Sequence, residues 1–265
     1  MKKSVLVLIL AILLAAYPVR NFISLANTDS VEKTSHSEAE DYLNKLYDYD
    51  IKKAQSNVKK ASNLRNDKGV PTSAEIKNVL KKLDEGKTTY RKIFKDVYIV
   101  GDSLMNGLEC YNILNSNRLI TQVSASLYHL SGNVKKIIKA SPETLILHYG
   151  VNMISTNKNQ LNNFISMYTK LIKQIQKSSP DTRIIISGLF PVDRGVAKAA
   201  RFGKIDTYNK ALRSMCSELG IEFLDSSSVL KAHPECYGGD GIHLSKVFYE
   251  KYWLRFIVKE MGIVG

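Results

Sequence analysis

The second half of the chain alternates short apolar runs with longer amphipathic stretches, and this alternation restricts the possible folds more than any other feature. Five apolar runs predict strands, at residues 97–100, 119–123, 144–149, 183–187 and 221–224. Helical periodicity occupies the intervals, near residues 104–115, 131–139, 158–178, 206–219 and 245–261. Strands that alternate with helices form crossover units in a parallel sheet covered on both faces. The sequence therefore predicts a three-layer α/β/α sandwich with a five-stranded parallel sheet.

Two polar motifs follow predicted strands, at the edge where such sheets carry their functional loops. Ser103 follows the first strand, in Gly101-Asp102-Ser103-Leu104, and begins a helix whose N–H groups favour developing negative charge. Asn152 follows the third strand and offers an amide donor that can hold an oxyanion. Taken alone, Ser103 is equally well a helix cap and Asn152 a turn residue.

A third motif lies in a glycine-rich stretch before the last predicted helix. Asp240 and His243 are three residues apart, a spacing that lets a carboxylate reach the Nδ1–H of an imidazole across a turn. Such a bond leaves Nε2 free to take a proton, although both residues are also common helix caps. Together with Ser103 and Asn152, they supply the nucleophile, the donor and the oriented base that acyl transfer needs.

These blocks resemble those of the SGNH/GDSL hydrolase superfamily (GDSL-like lipase/acylhydrolase), over about residues 96–262 and in the same order. The first block is Gly-Asp-Ser-Leu at 101–104, the third is Gly-Val-Asn-Met at 150–153, and the last is Asp-Gly-Ile-His at 240–243. The resemblance implies a flavodoxin-like sheet and chemistry without a cofactor or metal. It also implies Ser103 as nucleophile, His243 as general base and then acid, Asp240 as its orienter, and the Ser103 N–H with the Asn152 amide in the oxyanion hole.

The chain departs from the family pattern in two blocks. Met153 stands where the third block ordinarily has Asp, which removes a loop-bracing carboxylate. The second block ordinarily carries a glycine whose N–H completes the oxyanion hole, whereas residues 123–127 contain none. We place Ser124 at that position, where a non-glycine residue at positive φ is strained. Losing one oxyanion donor costs about 10²–10³ in rate, so an inactive homologue stays open as an alternative.

Other polar residues near the predicted strand ends are candidate substrate contacts. The predicted set is Gly150, Asp102, Tyr128, His148 and Asp193. Among these, His148 has the alternative of simply ending a strand. The stretch 195–203 follows the fourth strand and contains Lys198 and Arg201, which predicts a basic loop over the same rim.

The first 95 residues differ in composition from the rest. Lys2 and Lys3 precede an apolar run at 5–17, which is short for a membrane span of about 20 residues and typical of a secretory signal peptide. Residues 1–26 are thus predicted to be a signal peptide or an uncleaved membrane anchor, with the rest of the chain on the extracytoplasmic side. Residues 27–95 are predicted to form a solvated helical spacer, with Thr72 capping one helix, and residues 96–265 the hydrolase domain.

The distribution of charge argues against a nucleic-acid-binding protein, and the cysteine spacing argues against a zinc site. The chain has 38 Lys and Arg against 25 Asp and Glu, a net charge of +13, but no block of five or more bases. We therefore expect no nucleic-acid partner, and an anionic wall polymer or lipid surface instead. The three cysteines lack zinc-site spacing. The predicted function is an exported, cell-surface serine esterase that removes O-acetyl groups from wall or extracellular carbohydrate. An O-acyltransferase or a non-catalytic glycan-binding homologue is the alternative.

Overall fold

The computed structural model describes residues 71–265, so the predicted export segment and the first part of the predicted spacer lie outside the described residues. The strands are β1 (Val97–Gly101), β2 (Leu119–Thr121), β3 (Thr144–His148), β4 (Arg183–Ser187) and β5 (Glu222–Leu224). The helices are α1 (Ser73–Asp84), α2 (Tyr90–Ile93), α3 (Ser103–Cys110), α4 (Leu127–Ala140), α5 (Lys158–Ser178), α6 (Ile205–Leu219), α7 (Ser227–Lys231) and α8 (Leu254–Met261). A π-helical segment, Phe248–Trp253, leads directly into α8.

The five strands form one parallel sheet in the order β2-β1-β3-β4-β5. The predicted flavodoxin-like α/β sheet is thereby confirmed. Gly101, at the end of β1, pairs with Thr121 of β2 and with His148 of β3, so these strands finish at one level. The strand order reverses between β1 and β3, and ligands of such sheets bind in the crevice beyond that switch point. The loops after β1 and β3 therefore share one rim.

Burial explains why the apolar runs became strands. All five residues of β3 are buried, as are four of the five residues of β1, because helices cover both faces of the sheet. The predicted element types hold, while several ends differ. Helix α3 stops at Cys110, before the predicted residue 115, and Asn112 follows with a φ of 55° that a continuing helix does not allow. Strand β2 stops at Thr121, which frees residues 122–126 to form a loop.

The helix at the end of the predicted spacer differs from the expectation of a solvated stalk. Its predicted cap is present, because the Thr72 hydroxyl accepts a hydrogen bond from the Glu75 N–H at 3.2 Å. The apolar stripe of α1 packs against the core beside α8. Arg255 of α8 also pairs with both carboxylate oxygens of Asp84, at 2.6 and 3.1 Å. Residues 73–84 are thus attached to the domain that contains the sheet, since their stripe buries apolar area there. Among residues 71–265, no helix is long and apolar enough to cross a membrane.

Candidate active site

Ser103 is the first residue of α3 and follows directly on β1. Asp102 caps the helix, since its Oδ1 accepts the backbone N–H of Leu104 at 3.0 Å. Gly101 permits this tight strand-to-helix turn, because a Cβ there would lie 2.7 Å from the carbonyl oxygen of His148 and 2.5 Å from Cγ of Met105. The turn leaves Ser103 half-buried at the rim of the sheet.

Three of the predicted site residues form one chain of hydrogen bonds. Ser103 Oγ lies 3.0 Å from Nε2 of His243, and Nδ1 of the same imidazole lies 2.5 Å from Oδ2 of Asp240. The hydrogen bond from His243 lowers the pKa of Asp240 to about 2, so this carboxylate is charged at neutral pH. A charged carboxylate can only accept, so Nδ1–H is the donor, and in the neutral imidazole Nε2 then presents its lone pair to Ser103.

The turn that carries Asp240 and His243 is tightly constrained. Asp240 Oδ1 accepts the backbone N–H groups of Ile242 and His243 at 3.0 and 2.9 Å, which fixes the carboxylate. Gly241 has a φ of +65° and is buried, and a Cβ there would lie 2.7 Å from Cγ2 of Val196. Its carbonyl accepts the N–H of Asp193 at 2.8 Å. Glycine is required at this position by both the conformation and the close approach.

The loop after β2 carries Ser124 at the position of the family glycine, and its backbone there adopts a conformation typical of glycine. Ser124 has a φ of 58°, in the left-handed region that glycine ordinarily occupies, and it is exposed. The next residue, Ala125, is buried, and its carbonyl accepts a hydrogen bond from Nδ2 of Asn152 at 2.9 Å. An amide nitrogen carries two hydrogens, so Asn152 can hold this loop and still donate once more. The structure thereby brings the loop after β3 against the loop after β2.

Met153, the second departure from the family pattern, contacts the same loop. The N–H of Leu127, the first residue of α4, points to the sulfur of Met153 at 3.4 Å. The preceding N–H, of Ser126, donates to Nδ1 of His129 at 3.1 Å. These first N–H groups of a helix have no partner within the helix, and a thioether and an imidazole satisfy them here. Sequence reasoning missed both roles, because a Met sulfur is a weak acceptor with no motif; the Ser126–His129 spacing was the available signal.

Two of the predicted substrate contacts lie below the surface. His148 and Asp102 are completely buried, so neither side chain has surface to offer a substrate. His148 instead lies 3.1 Å from the Ser187 hydroxyl, and burial lowers its pKa to about 3, which keeps the imidazole neutral. Burial raises the pKa of Asp102 to about 7, since its Oδ2 is enclosed without a hydrogen-bond partner among the described residues. His148 ends β3 and Asp102 caps α3 just after β1, and both side chains are covered there.

The three remaining predicted substrate contacts, Gly150, Asp193 and Tyr128, differ in how exposed they are. Gly150 is buried with a φ of 148°, and a Cβ there would lie 2.6 Å from Cδ2 of Leu189, so its role is to let the chain turn. Asp193 is half-buried and accepts the N–H of Gly195 at 2.8 Å. Tyr128 is 71% exposed and stays a predicted substrate contact. Within residues 71–265, no three His, Cys, Asp or Glu side chains come together as metal ligands would.

Solved structures and one protein-family model match the chain. The chain is similar to a putative GDSL-like lipase from Parabacteroides merdae, with 15% identity, 64% of this chain and 94% of that chain covered, and a TM-score of 0.48. It is also similar to a catalytic mutant of Axe2, an acetylxylan esterase from Geobacillus stearothermophilus, with 16% identity, coverage of 63% and 93%, and a TM-score of 0.48. No curated protein sequence matches. The model of the GDSL-like Lipase/Acylhydrolase family matches residues 99–251, more than half of the chain and every block described above. The chain therefore belongs to the GDSL-like lipase/acylhydrolase family, a family of hydrolases.

Proposed function

We propose that the protein is an exported serine esterase that hydrolyses esters through an acyl-enzyme on Ser103. The observation that carries the proposal is the unbroken line from Ser103 Oγ through His243 to Asp240, with separations of 3.0 and 2.5 Å. A hydroxyl is a weak nucleophile by itself and needs an adjacent base that is held in the correct tautomer. The charged carboxylate of Asp240 holds that tautomer, which supports the assignment of His243 as the base.

The reaction takes place in two displacements on one carbonyl carbon. His243 Nε2 takes the proton of Ser103 as Oγ bonds to the carbonyl carbon, and the carbonyl oxygen becomes an oxyanion. The protonated imidazole then gives its proton to the alcohol oxygen as that bond breaks, which leaves the acyl group on Ser103. Water attacks the acyl-enzyme with His243 again as base, and Oγ recovers its proton as the acid leaves. Asp240 stays ionised throughout and stabilises the imidazolium.

Three donors around Ser103 are proposed to form the oxyanion hole. The N–H of Ser103 lies in the first turn of α3, where a helix N–H has no partner within the helix. The second hydrogen on Nδ2 of Asn152 and the N–H of Ser124 are the other two donors. The positive φ of Ser124 supports this assignment, since it is the conformation in which a glycine would present its N–H. Each such donor is worth about 10²–10³ in rate.

The proposed substrates are O-acetyl groups on cell-wall or extracellular carbohydrate. The predicted export segment at residues 1–26 supports this location, as a signal peptide or as a membrane anchor, and an anionic wall polymer is the proposed partner there. Tyr128, which is 71% exposed four residues after Ser124, offers an aromatic face of the kind that packs on sugar rings. Nucleic acid is not a proposed partner.

The test is hydrolysis of p-nitrophenyl acetate by the full-length protein and by two variants. Ser103→Ala is expected to abolish turnover, and the matched control Ser178→Ala, an exposed serine at the end of α5, to leave it unchanged. A serine-reactive phosphonate should label Ser103 and no other residue, as judged by peptide mass. Absence of both turnover and labelling would contradict the proposal and favour a glycan-binding homologue. Capture of the acetyl group by an added oligosaccharide would identify an O-acyltransferase instead.

A further inference from the structure

A short stretch between β4 and α6 concentrates positive charge. Residues 194–204, the basic loop, contain no acidic residue and four cations, which are Arg194, Lys198, Arg201 and Lys204. Residues 97–265 as a whole hold 20 Lys and Arg against 13 Asp and Glu. Four of the seven excess positive charges of this part of the chain therefore lie within 11 residues. The charge is local and not a uniform property of the surface.

Among the described residues these four cations form no ion pair, whereas Arg183, Arg213 and Arg255 each pair with a carboxylate. Arg183 pairs with Glu222 at 2.6 Å and Arg213 with Asp225 at 2.9 Å. Within residues 71–265, no carboxylate lies within 4.0 Å of a basic-loop cation, and the guanidinium of Arg201 lies over the ring of Phe202 at 4.4 Å. All four cations are exposed. Their charges are thus available to a ligand.

The basic loop is attached to the turn that carries the candidate catalytic residues. The N–H of Asp193, immediately before the loop, donates to the carbonyl of Gly241 at 2.8 Å. Val196 packs on Gly241, which leaves no room for a side chain at that position. Farther along, Phe202 is buried and anchors the loop from its other end. The cations therefore project from a segment whose first residues contact the stretch between Asp240 and His243.

The loop after β2 is chemically different from the basic loop. Val123 in this loop is 64% exposed, and Tyr128, in the first turn of α4 directly after it, is 71% exposed. An exposed tyrosine offers a rigid ring that can pack on a sugar face. An exposed aromatic ring thus follows β2, and a cation-rich stretch follows β4.

We propose that the basic loop binds carboxylate groups of an acidic saccharide chain whose ester is presented to Ser103. The proposal rests on the esterase function proposed above and specifies its substrate class as anionic. Guanidinium groups match carboxylates with paired hydrogen bonds, and a cluster of unpaired cations attracts a polyanion over several ångströms. A carboxylated sugar supplies both a ring for Tyr128 and a charge for the loop, whereas a polyphosphate chain supplies charge alone.

Binding to a full-length Ser103→Ala protein tests the inference without relying on hydrolysis. Titration calorimetry with polygalacturonate oligomers should show an affinity that falls about tenfold or more from about 20 mM to about 300 mM salt, as exposed charges are screened. Adding Arg194→Gln, Lys198→Gln, Arg201→Gln and Lys204→Gln should remove most of this binding. The matched control neutralises four exposed lysines on the later turns of α4 and α5, which are Lys139, Lys170, Lys173 and Lys177, and should retain it.

Catalysis separates this inference from the proposed function. With Ser103 intact, neutralising the basic loop should lower kcat/KM for acetylated polygalacturonate about tenfold, mainly through KM, and leave acetylated xylo-oligosaccharides within about twofold. Equal losses in the control variant, or no binding of polygalacturonate at low salt, would overturn the inference while hydrolysis of p-nitrophenyl acetate stands. Binding of polyphosphate without binding of polygalacturonate would also overturn the assignment to a saccharide.

Discussion

The turn that carries Asp240 and His243 and the loop after β2 are held in their conformations in different ways. The turn with Asp240 and His243 matches its family block in full and is held by hydrogen bonds between close neighbours, such as Asp240 Oδ1 with the N–H of His243 at 2.9 Å. The loop at 123–127 lacks the family glycine and is held from outside, by Asn152 on the carbonyl of Ala125 and by Met153 on the N–H of Leu127. We call these the base turn and the oxyanion loop.

This difference shows two ways of holding a functional conformation. In the base turn, Gly241 takes its φ of +65° without steric cost, and the motif alone specifies the geometry. In the oxyanion loop, Ser124 takes a φ of 58° at a cost of order 1–3 kcal/mol for a strained residue. Contacts with the loop after β3 must offset that cost. The base turn should therefore be sensitive to its own residues, and the oxyanion loop to residues of its neighbour.

The largest effect is expected in the base turn. Asp240→Asn keeps the shape of the side chain but no longer selects the Nδ1–H tautomer of His243, so kcat should fall about 10⁴-fold with KM nearly unchanged. Steady-state kinetics on p-nitrophenyl acetate measure this, with the exposed Asp181→Asn as control. A loss under tenfold would mean that the base turn does not orient the imidazole.

A smaller loss is expected where the oxyanion loop depends on the loop after β3. Asn152→Ala removes one proposed oxyanion donor and the bond to Ala125, so kcat should fall about 10²–10³-fold. The exposed Asn163→Ala on α5 is the control. If kcat is unchanged while the protein loses stability, Asn152 only holds the oxyanion loop in place. Its role is then structural, and it is not an oxyanion donor.

The buried cap of α3 is expected to give a pH effect on stability. Burial raises the pKa of Asp102 to about 7 from its ordinary value of 3.8, so the folded state keeps a proton that the unfolded chain releases. The free energy of unfolding should therefore decrease as pH rises from about 4 to 7 because of this group. His148, whose pKa is lowered to about 3 by burial, acts in the opposite direction as pH rises from about 3 to 6.5.

The difference between the wild-type protein and Asp102→Asn separates these two contributions. Relative to wild type, the variant should gain free energy of unfolding steadily between pH 4 and 7, as followed by urea denaturation. The pH dependence of Asp102→Asn should then reflect the His148 contribution. Parallel stability curves for the two proteins would show that Asp102 ionises equally in the folded and unfolded states.

The smallest effect is expected for relief of strain in the oxyanion loop. Ser124→Gly should raise the free energy of unfolding by up to about 1 kcal/mol, because glycine takes positive φ freely but also gains entropy in the unfolded chain. Ser141, with a φ of 42° after α4, provides the matched control Ser141→Gly outside the site. We expect kcat to stay within about threefold for both. A large loss of kcat in Ser124→Gly alone would mean that the Ser124 side chain itself takes part in the reaction.

Sequence reasoning predicted the sheet and the base turn well because both depend on near neighbours. Apolar runs such as 144–149 specify strands through their own burial, and the spacing of Asp240 and His243 specifies a turn. Helix ends were less predictable, as α3 shows by stopping at Cys110. Residues at strand ends were the weakest inference, since His148 is as polar as an active-site histidine and yet is completely buried.

The sequence by itself determined the parallel α/β sheet and the residues Ser103, Asp240 and His243, because periodicity and short motifs are encoded in consecutive positions. The tertiary structure alone decided which distant groups complete the site and its surroundings. The sulfur of Met153 accepts the N–H of Leu127 across 26 residues, α1 packs beside α8, and Val196 of the basic loop packs on Gly241. Such contacts depend on the order of the strands in the sheet and on how distant segments pack against one another. Short sequence patterns specify neither of these.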